Sequence, residues 1–156
     1  ADSAHILGEL VKGFMLRRPL NRDLIDRIGE PWAEKLQRGL PAIDLTANCA
    51  LIGAVANDQD GLLPYAQQVM AYCRPNDVLI GISTSGNSEN VRRAMVTAKA
   101  LGGKCIALTG KTGGKLRDVA DLLLNVDETE TYRVQEKHLR LYHQICMRVE
   151  SAMFGE

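Results

Sequence analysis

A chain of 156 residues, 46% of them hydrophobic, is long enough for one full core and is not a small scaffold that needs staples. Its 19 Lys and Arg balance 19 Asp and Glu, so the net charge is zero and no basic field gathers nucleic acid or an anionic membrane surface. The apolar runs fall well short of the roughly 20 residues of a membrane-spanning helix, and no basic n-region followed by an apolar stretch opens the chain, so the expected location is the cytoplasm.

In chain order, Ile6, Leu7, Leu10, Val11 and Phe14 repeat at intervals of three and four and predict a helix over residues 4–14. Pro19 and Asn21 break it. Helical spacing resumes over 23–40, divided near Gly29 to Pro31, and reads as an exposed or partner-facing hairpin. From Pro41 the pattern changes to alternation: a strand at 42–47, a helix at 62–72, a strand at 77–84, a helix at 88–101, strands at 104–109 and 122–126, and a last helix at 131–153. Strands alternating with helices predict a parallel sheet covered by helices on both faces, a doubly wound, flavodoxin-like three-layer α/β/α fold. The uninterrupted apolar run at 78–82 predicts a central strand buried on both sides. No repeat, low-complexity tract or linker interrupts the chain, so a single domain over 1–156 is expected. Cys49, Cys73, Cys105 and Cys146 lack a C-x-x-C pair and read as reduced thiols. The chain starts at Ala1, without Met and within a predicted helix, which leads us to expect further residues upstream.

The strand at 77–84 runs into Ser83-Thr84-Ser85-Gly86-Asn87-Ser88 and then at once into a helix. Ligands of open α/β sheets bind at the carboxyl edge, where the next helix presents unpaired N–H groups and the positive end of its dipole. Ser83, Thr84, Ser85 and Ser88 therefore form a candidate phosphate cradle, with Gly86 allowing close backbone approach. The plain alternative makes Ser88 an N-cap and the other hydroxyls turn residues. The loop lacks the ending of a Walker A motif and is not a G-x-G-x-x-G fingerprint. A second loop, Thr109 to Lys115, follows the next strand and reads as a solvated turn or as a source of a cation.

Two helices carry candidate proton-transfer groups. His5 and Glu9 stand four apart on one helical face. Gln135 and His143 are eight apart on the last helix, two turns along and rotated, so both serve one site only if it lies along the groove beside that helix. Asp58, after Asn57, is a candidate for binding sugar hydroxyls or, equally, for an Asx turn that caps the next helix.

The segment from Gly81 to Ser88, followed by Asn90-Val91 and by Leu108-Thr109-Gly110-Lys111-Thr112-Gly113-Gly114-Lys115, resembles the sugar isomerase (SIS) domain. The resemblance is nearest to the phosphoheptose isomerase branch, whose His-x-x-x-Glu pair is matched by His5 and Glu9. Its Gln-Glu-x-His-x-x-x-x-His segment is matched from Gln135 to His143. The resemblance implies isomerisation of sedoheptulose 7-phosphate to the aldose through an enediol, with Glu9 and His143 as the acid/base pair and His138 structural. It also implies that His5, Glu9, Gln135 and His143 hold a divalent metal, commonly zinc, and that a homotetramer shares its sites between subunits. The expected upstream residues are then the family's first strand and Gly-rich Ser loop. Tyr132, where an acidic residue is usual, and residues 59–63 depart from the pattern and leave the identity of the sugar open. Two rival readings are a non-catalytic phosphosugar-binding regulator and a phosphosugar lyase or etherase of the same fold.

Overall fold

The computed structural model describes residues 1–155. Six α-helices, two short 3-10 turns and three strands follow in the order α1 (Asp2–Val11), α2 (Arg22–Ile28), α3 (Cys49–Asp58), α4 (Pro64–Tyr72), β1 (Val78–Ser83), α5 (Glu89–Ala100), β2 (Lys104–Thr109), β3 (Leu122–Asn125) and α6 (Thr131–Phe154). The 3-10 turns are Ala33–Lys35 and Gly114–Leu116. Two compact units divide these elements: residues 45–139 form one, and residues 1–44 with those from 140 on form the other, so α6 runs through both.

In the first of these units the strands pair in the order β1-β2-β3, all parallel, giving the α/β class expected from the alternation. The register aligns the strand ends: Ser83 sits beside Thr109, and Thr109 beside Asn125. All three therefore mark the carboxyl edge of the sheet. Among the described residues the central strand is β2 and not β1. The β1 backbone has one neighbour, whereas Cys105, Ala107, Leu108 and Thr109 of β2 are fully buried. Continuous apolar sequence signals burial, but only the ladder determines which strand is flanked on both sides. α5 lies against β1 at Gly81, where a Cβ would come within 2.8 Å of Met95 Sδ and 2.9 Å of Val91 Cγ1. Val69 of α4, Ala94, Met95 and Ala98 of α5, and Cys105 and Ala107 of β2 pack with Leu116 into the core.

The region before β1 differs from the expectation. Residues 42–47 form no strand; the Leu45 carbonyl is taken up by Gln68 Nε2 (2.9 Å), so a side chain supplies the partner that a ladder would. Cys49–Asp58 form α3, a helix the alternation did not suggest because Gly53 and the small residues blur its periodicity. Asn48 starts it, its Oδ1 accepting from Leu51 N at 3.0 Å.

In the other unit, α1 ends at Val11 and α2 at Ile28, where Gly29 adopts the left-handed conformation (φ 69°) of a helix C-terminus. Residues 36–40 are thus extended and not helical. Pro19 bridges Gln37, and Arg38 N donates to Arg18 O at 2.7 Å. Among the described residues no helix is long and apolar enough to cross a membrane. All four cysteines are free thiols; burial pushes Cys105 up to about 11, and Cys146 is shifted the same way.

Candidate active site

The serine loop forms where the sheet ends. Ser83 is buried, and its Oγ lies 2.8 Å from Ser88 Oγ. Ser88 precedes α5, but its side chain makes no capping hydrogen bond, so the plain N-cap alternative does not hold. Its hydroxyl is turned toward the strand end. Gly86 N donates to Ser83 O at 3.0 Å, and Gly86 has φ 69° with its backbone against Gly113 and Gly114, themselves left-handed. Only a residue without Cβ fits that contact. Gly86→Ala is expected to lower the melting temperature by several degrees, measured by thermal unfolding, because it adds both a clash with Gly113 O and left-handed strain.

The second loop supports the first. Gly110 N donates to Thr84 O at 2.9 Å, Leu116 N to Gly86 O at 3.0 Å, and Asn125 Nδ2 to Lys111 O at 2.9 Å. Lys111 Nζ pairs with Asp127 at 2.9 Å, which holds the carboxyl of Asp127 below the usual range. This lysine is engaged with a carboxylate. His138 is fully buried on α6, and its Nε2 donates to Thr109 O at 3.1 Å, where β2 ends. Its Nδ1 is buried without a partner.

Asp58 is the last residue of α3, exposed, and accepts from Asn57 Nδ2 at 2.8 Å. The Asx-turn role falls instead to Asp60, whose Oδ1 accepts from Leu62 N (2.8 Å) and whose Oδ2 pairs with Arg93 (2.6 Å). The Leu62 N–H and the Arg93 guanidinium hold the Asp60 carboxyl below its ordinary value. Gln135 is exposed near the start of α6.

The second unit gathers His5, Glu9 and His143. His5 Nε2 is 3.2 Å from Glu9 Oε1 and 3.4 Å from His143 Nε2. A residue that sequence reasoning missed completes the cluster: Tyr142, 2% exposed, places its hydroxyl 2.9 Å from His5 Nδ1. A carboxylate only accepts, so the His5 nitrogen facing Glu9 carries hydrogen and the Tyr142 hydroxyl donates to the other. Burial raises the Tyr142 pKa, keeping the phenol protonated for that role. The rings of His5 and His143 meet edge to face at 5.0 Å, and the Phe14 ring lies 5.4 Å from that of His143.

Beneath this cluster runs an ion pair, Arg18 with Glu150, each 1% exposed. Arg18 Nε donates to Glu150 Oε1 at 2.8 Å, while Nη1 and Nη2 donate to Leu10 O (2.7 Å) and Glu9 O (3.1 Å), carbonyls at the end of α1. Glu150 also accepts from the N–H groups of Phe14, Met15 and Leu16. The pair thus fixes the end of the helix that bears Glu9 and the Phe14 ring beside His143. The only sequence signal was a Glu four positions after Cys146 and eight after Tyr142, both buried on α6.

Two imidazoles and a carboxylate are a donor set that suits zinc. A tetrahedral zinc with nitrogen and oxygen ligands at about 2.0–2.1 Å places neighbouring donors about 3.3 Å apart. His5 Nε2 stands at 3.2 Å from Glu9 and 3.4 Å from His143, but among the described residues no group of three or more His, Cys, Asp or Glu side chains is placed to hold a metal ion.

The family model for the SIS domain matches residues 61–148, more than half of the chain. The phosphoheptose isomerase of Burkholderia pseudomallei (strain 1710b) is 39% identical over all of this chain and 70% of its own length. The chain belongs to the phosphoheptose isomerase family of SIS-domain proteins. The phosphoheptose isomerase of Crocosphaera subtropica is 42% identical over the same shares. The solved structure of phosphoheptose isomerase GmhA from Neisseria gonorrhoeae superposes with a TM-score of 0.77 at 33% identity, covering 96% of this chain and 70% of that one. The serine loop and all of α6 up to Arg148 fall within the SIS match, and His5 and Glu9 fall within the full-length relatives' match.

Proposed function

We propose that this protein is an aldose–ketose isomerase that converts sedoheptulose 7-phosphate to the aldose heptose 7-phosphate. The observation that carries the reading is the cluster of Glu9, His5 and His143 in a chain 39% identical along its whole length to a phosphoheptose isomerase. Ser83, Thr84, Ser85 and Ser88 receive the phosphate, a role supported by the hydroxyls and helix start at the sheet edge. Gln135 and Asp58 are assigned to the sugar hydroxyls.

In the chemistry, Glu9 removes the proton from carbon 1, beside the carbonyl, while His143 gives a proton to the carbonyl oxygen on carbon 2. The resulting enediol returns by the mirror steps: His143 takes the proton of the carbon-1 hydroxyl, and Glu9 delivers its proton to carbon 2, leaving an aldehyde at carbon 1. His5, oriented by Tyr142, holds the Glu9 carboxylate through its Nε2 hydrogen.

His5, Glu9, Gln135 and His143 would hold a zinc ion, the His5 hydrogen then lying on Nδ1 and donated to the Tyr142 hydroxyl oxygen. When bound, it polarises the substrate carbonyl. The working form is a cytoplasmic homotetramer with sites shared between subunits. The exposed Val11, Met15, Leu16, Trp32, Leu36 and Ile43 support burial against further copies.

The test is direct incubation with sedoheptulose 7-phosphate, with and without added zinc, following formation of the aldose phosphate. Turnover is expected, and faster with zinc. Binding without turnover on any ketose phosphate would replace the isomerase with a phosphosugar-binding role.

A further inference from the structure

The serine loop is tied at one exposed point to a segment far away in sequence. Asn87 is solvent-facing, yet both ends of its side-chain amide are committed. Nδ2 donates to Ser85 O at 3.0 Å, and Oδ1 accepts from Lys115 N at 3.1 Å, across 28 positions of chain. Its backbone N–H donates to Ser85 Oγ at 3.2 Å. A local Asx or ST turn accounts for the bonds to Ser85 but not for the one to Lys115. Around this link, Gly86 packs directly against Gly113 and Gly114, and Leu116 N donates to Gly86 O. Backbone bonds from Gly110 N to Thr84 O and from Leu116 N to Gly86 O join the same two loops, and the Asn87 amide adds a side-chain tie to that junction at the residue between Gly86 and Ser88.

We propose that Asn87 is a positioning residue that locks the serine loop to the loop at 110–115, and so sets the affinity of the cradle for a phosphate group without taking part in proton transfer. The proposal rests on the phosphosugar reading of the serine loop. Asn is the residue type the position needs, because one short side chain must both donate and accept. Asp keeps the acceptor for Lys115 but loses the donor to Ser85 and adds negative charge beside the phosphate. Ala loses both bonds.

The test compares Asn87→Asp and Asn87→Ala with the full-length wild type. Four quantities are read: KM and kcat on sedoheptulose 7-phosphate, the dissociation constant of inorganic phosphate by calorimetry, and the melting temperature. KM and the phosphate dissociation constant are expected to rise together by about tenfold for Ala, the effect of one or two lost hydrogen bonds, and further for Asp. The value of kcat should stay within about twofold of wild type, because proton transfer is untouched. A merely structural role would reduce the folded fraction, lowering kcat and leaving KM unchanged. That outcome overturns the proposal, as do unchanged phosphate affinity in both variants, unfolding of both, or a wild type that does not bind inorganic phosphate. If the wild type binds phosphate but turns over no ketose phosphate, and the variants weaken binding, the isomerase reading falls while the role of Asn87 stands.

Discussion

Glu9→Gln and His143→Ala are each expected to lower kcat for ketose-to-aldose conversion by about 10² to 10⁴-fold, the usual contribution of a positioned acid or base. Neither change should unfold the protein. The Glu9 side chain is partly exposed and its helix is held through its backbone carbonyl by Arg18, a bond the substitution leaves in place. Gln keeps the shape and can still accept from His5, but it cannot take a proton from carbon. Removing the His143 imidazole takes one ring contact from Phe14 and one from His5, which keeps its edge contact with Tyr142, a modest packing loss at a half-buried position. Circular dichroism and melting curves close to wild type, together with collapsed turnover, would support the assignment; unchanged turnover in either variant would remove it.

Glu150→Ala is expected to destabilise the fold by about 3–5 kcal/mol, the cost of leaving one partner of a buried ion pair unmatched. At this chain length that corresponds to a fall in melting temperature of roughly 10 °C. Arg18 would remain buried with its charge uncompensated, and the N–H groups of Phe14, Met15 and Leu16 would lose their acceptor. The same carboxylate gives stability a pH dependence of known sign. Burial works to raise its pKa, but the N–H donors and the Arg18 guanidinium outweigh it and hold the folded value below the ordinary 4.5. The ionised form therefore stabilises the fold fully above pH 4.5, and that contribution is lost as pH falls through the lower folded value. Glu150→Gln should flatten the acid limb of a stability-against-pH curve measured by urea unfolding. An acid limb as steep as that of wild type would show that another carboxylate governs it.

The alternation over residues 78–125 was legible because each element there is short, uniform and bounded by turn residues. β1, α5, β2 and β3 lie within one or two residues of their expected limits. The serine loop was legible for the same local reason. Reading failed between residues 36 and 62. A strand at 42–47 needs a neighbour to exist at all, and its carbonyl finds Gln68 instead. α3 was hidden by Gly53 and small residues that give no clear face. Assigning Asn57 and Asp58 to a loop followed from missing that helix, and the turn-capping carboxylate proved to be Asp60.

Among the candidate site residues, the pairing of His5 with Glu9 was readable because four positions make one helical turn. Their meeting with His143, 138 positions from His5, followed from spacing in neither helix. Neither spacing nor motif singled out a role for Tyr142, Arg18 or Asn87.

The sequence by itself determined the parallel α/β class, the family, and the residue types able to move a proton or cradle an anion, because periodicity, glycine placement and motif spacing act over a few neighbouring positions. Only the tertiary structure decided which of those groups have partners. Tyr142 reaches His5 across 137 positions, Glu150 reaches Arg18 across 132, and Lys115 reaches Asn87 across 28. Contacts of that range are selected by packing and by the cost of leaving a buried polar group unpaired, and neither leaves a mark on the local pattern of residues.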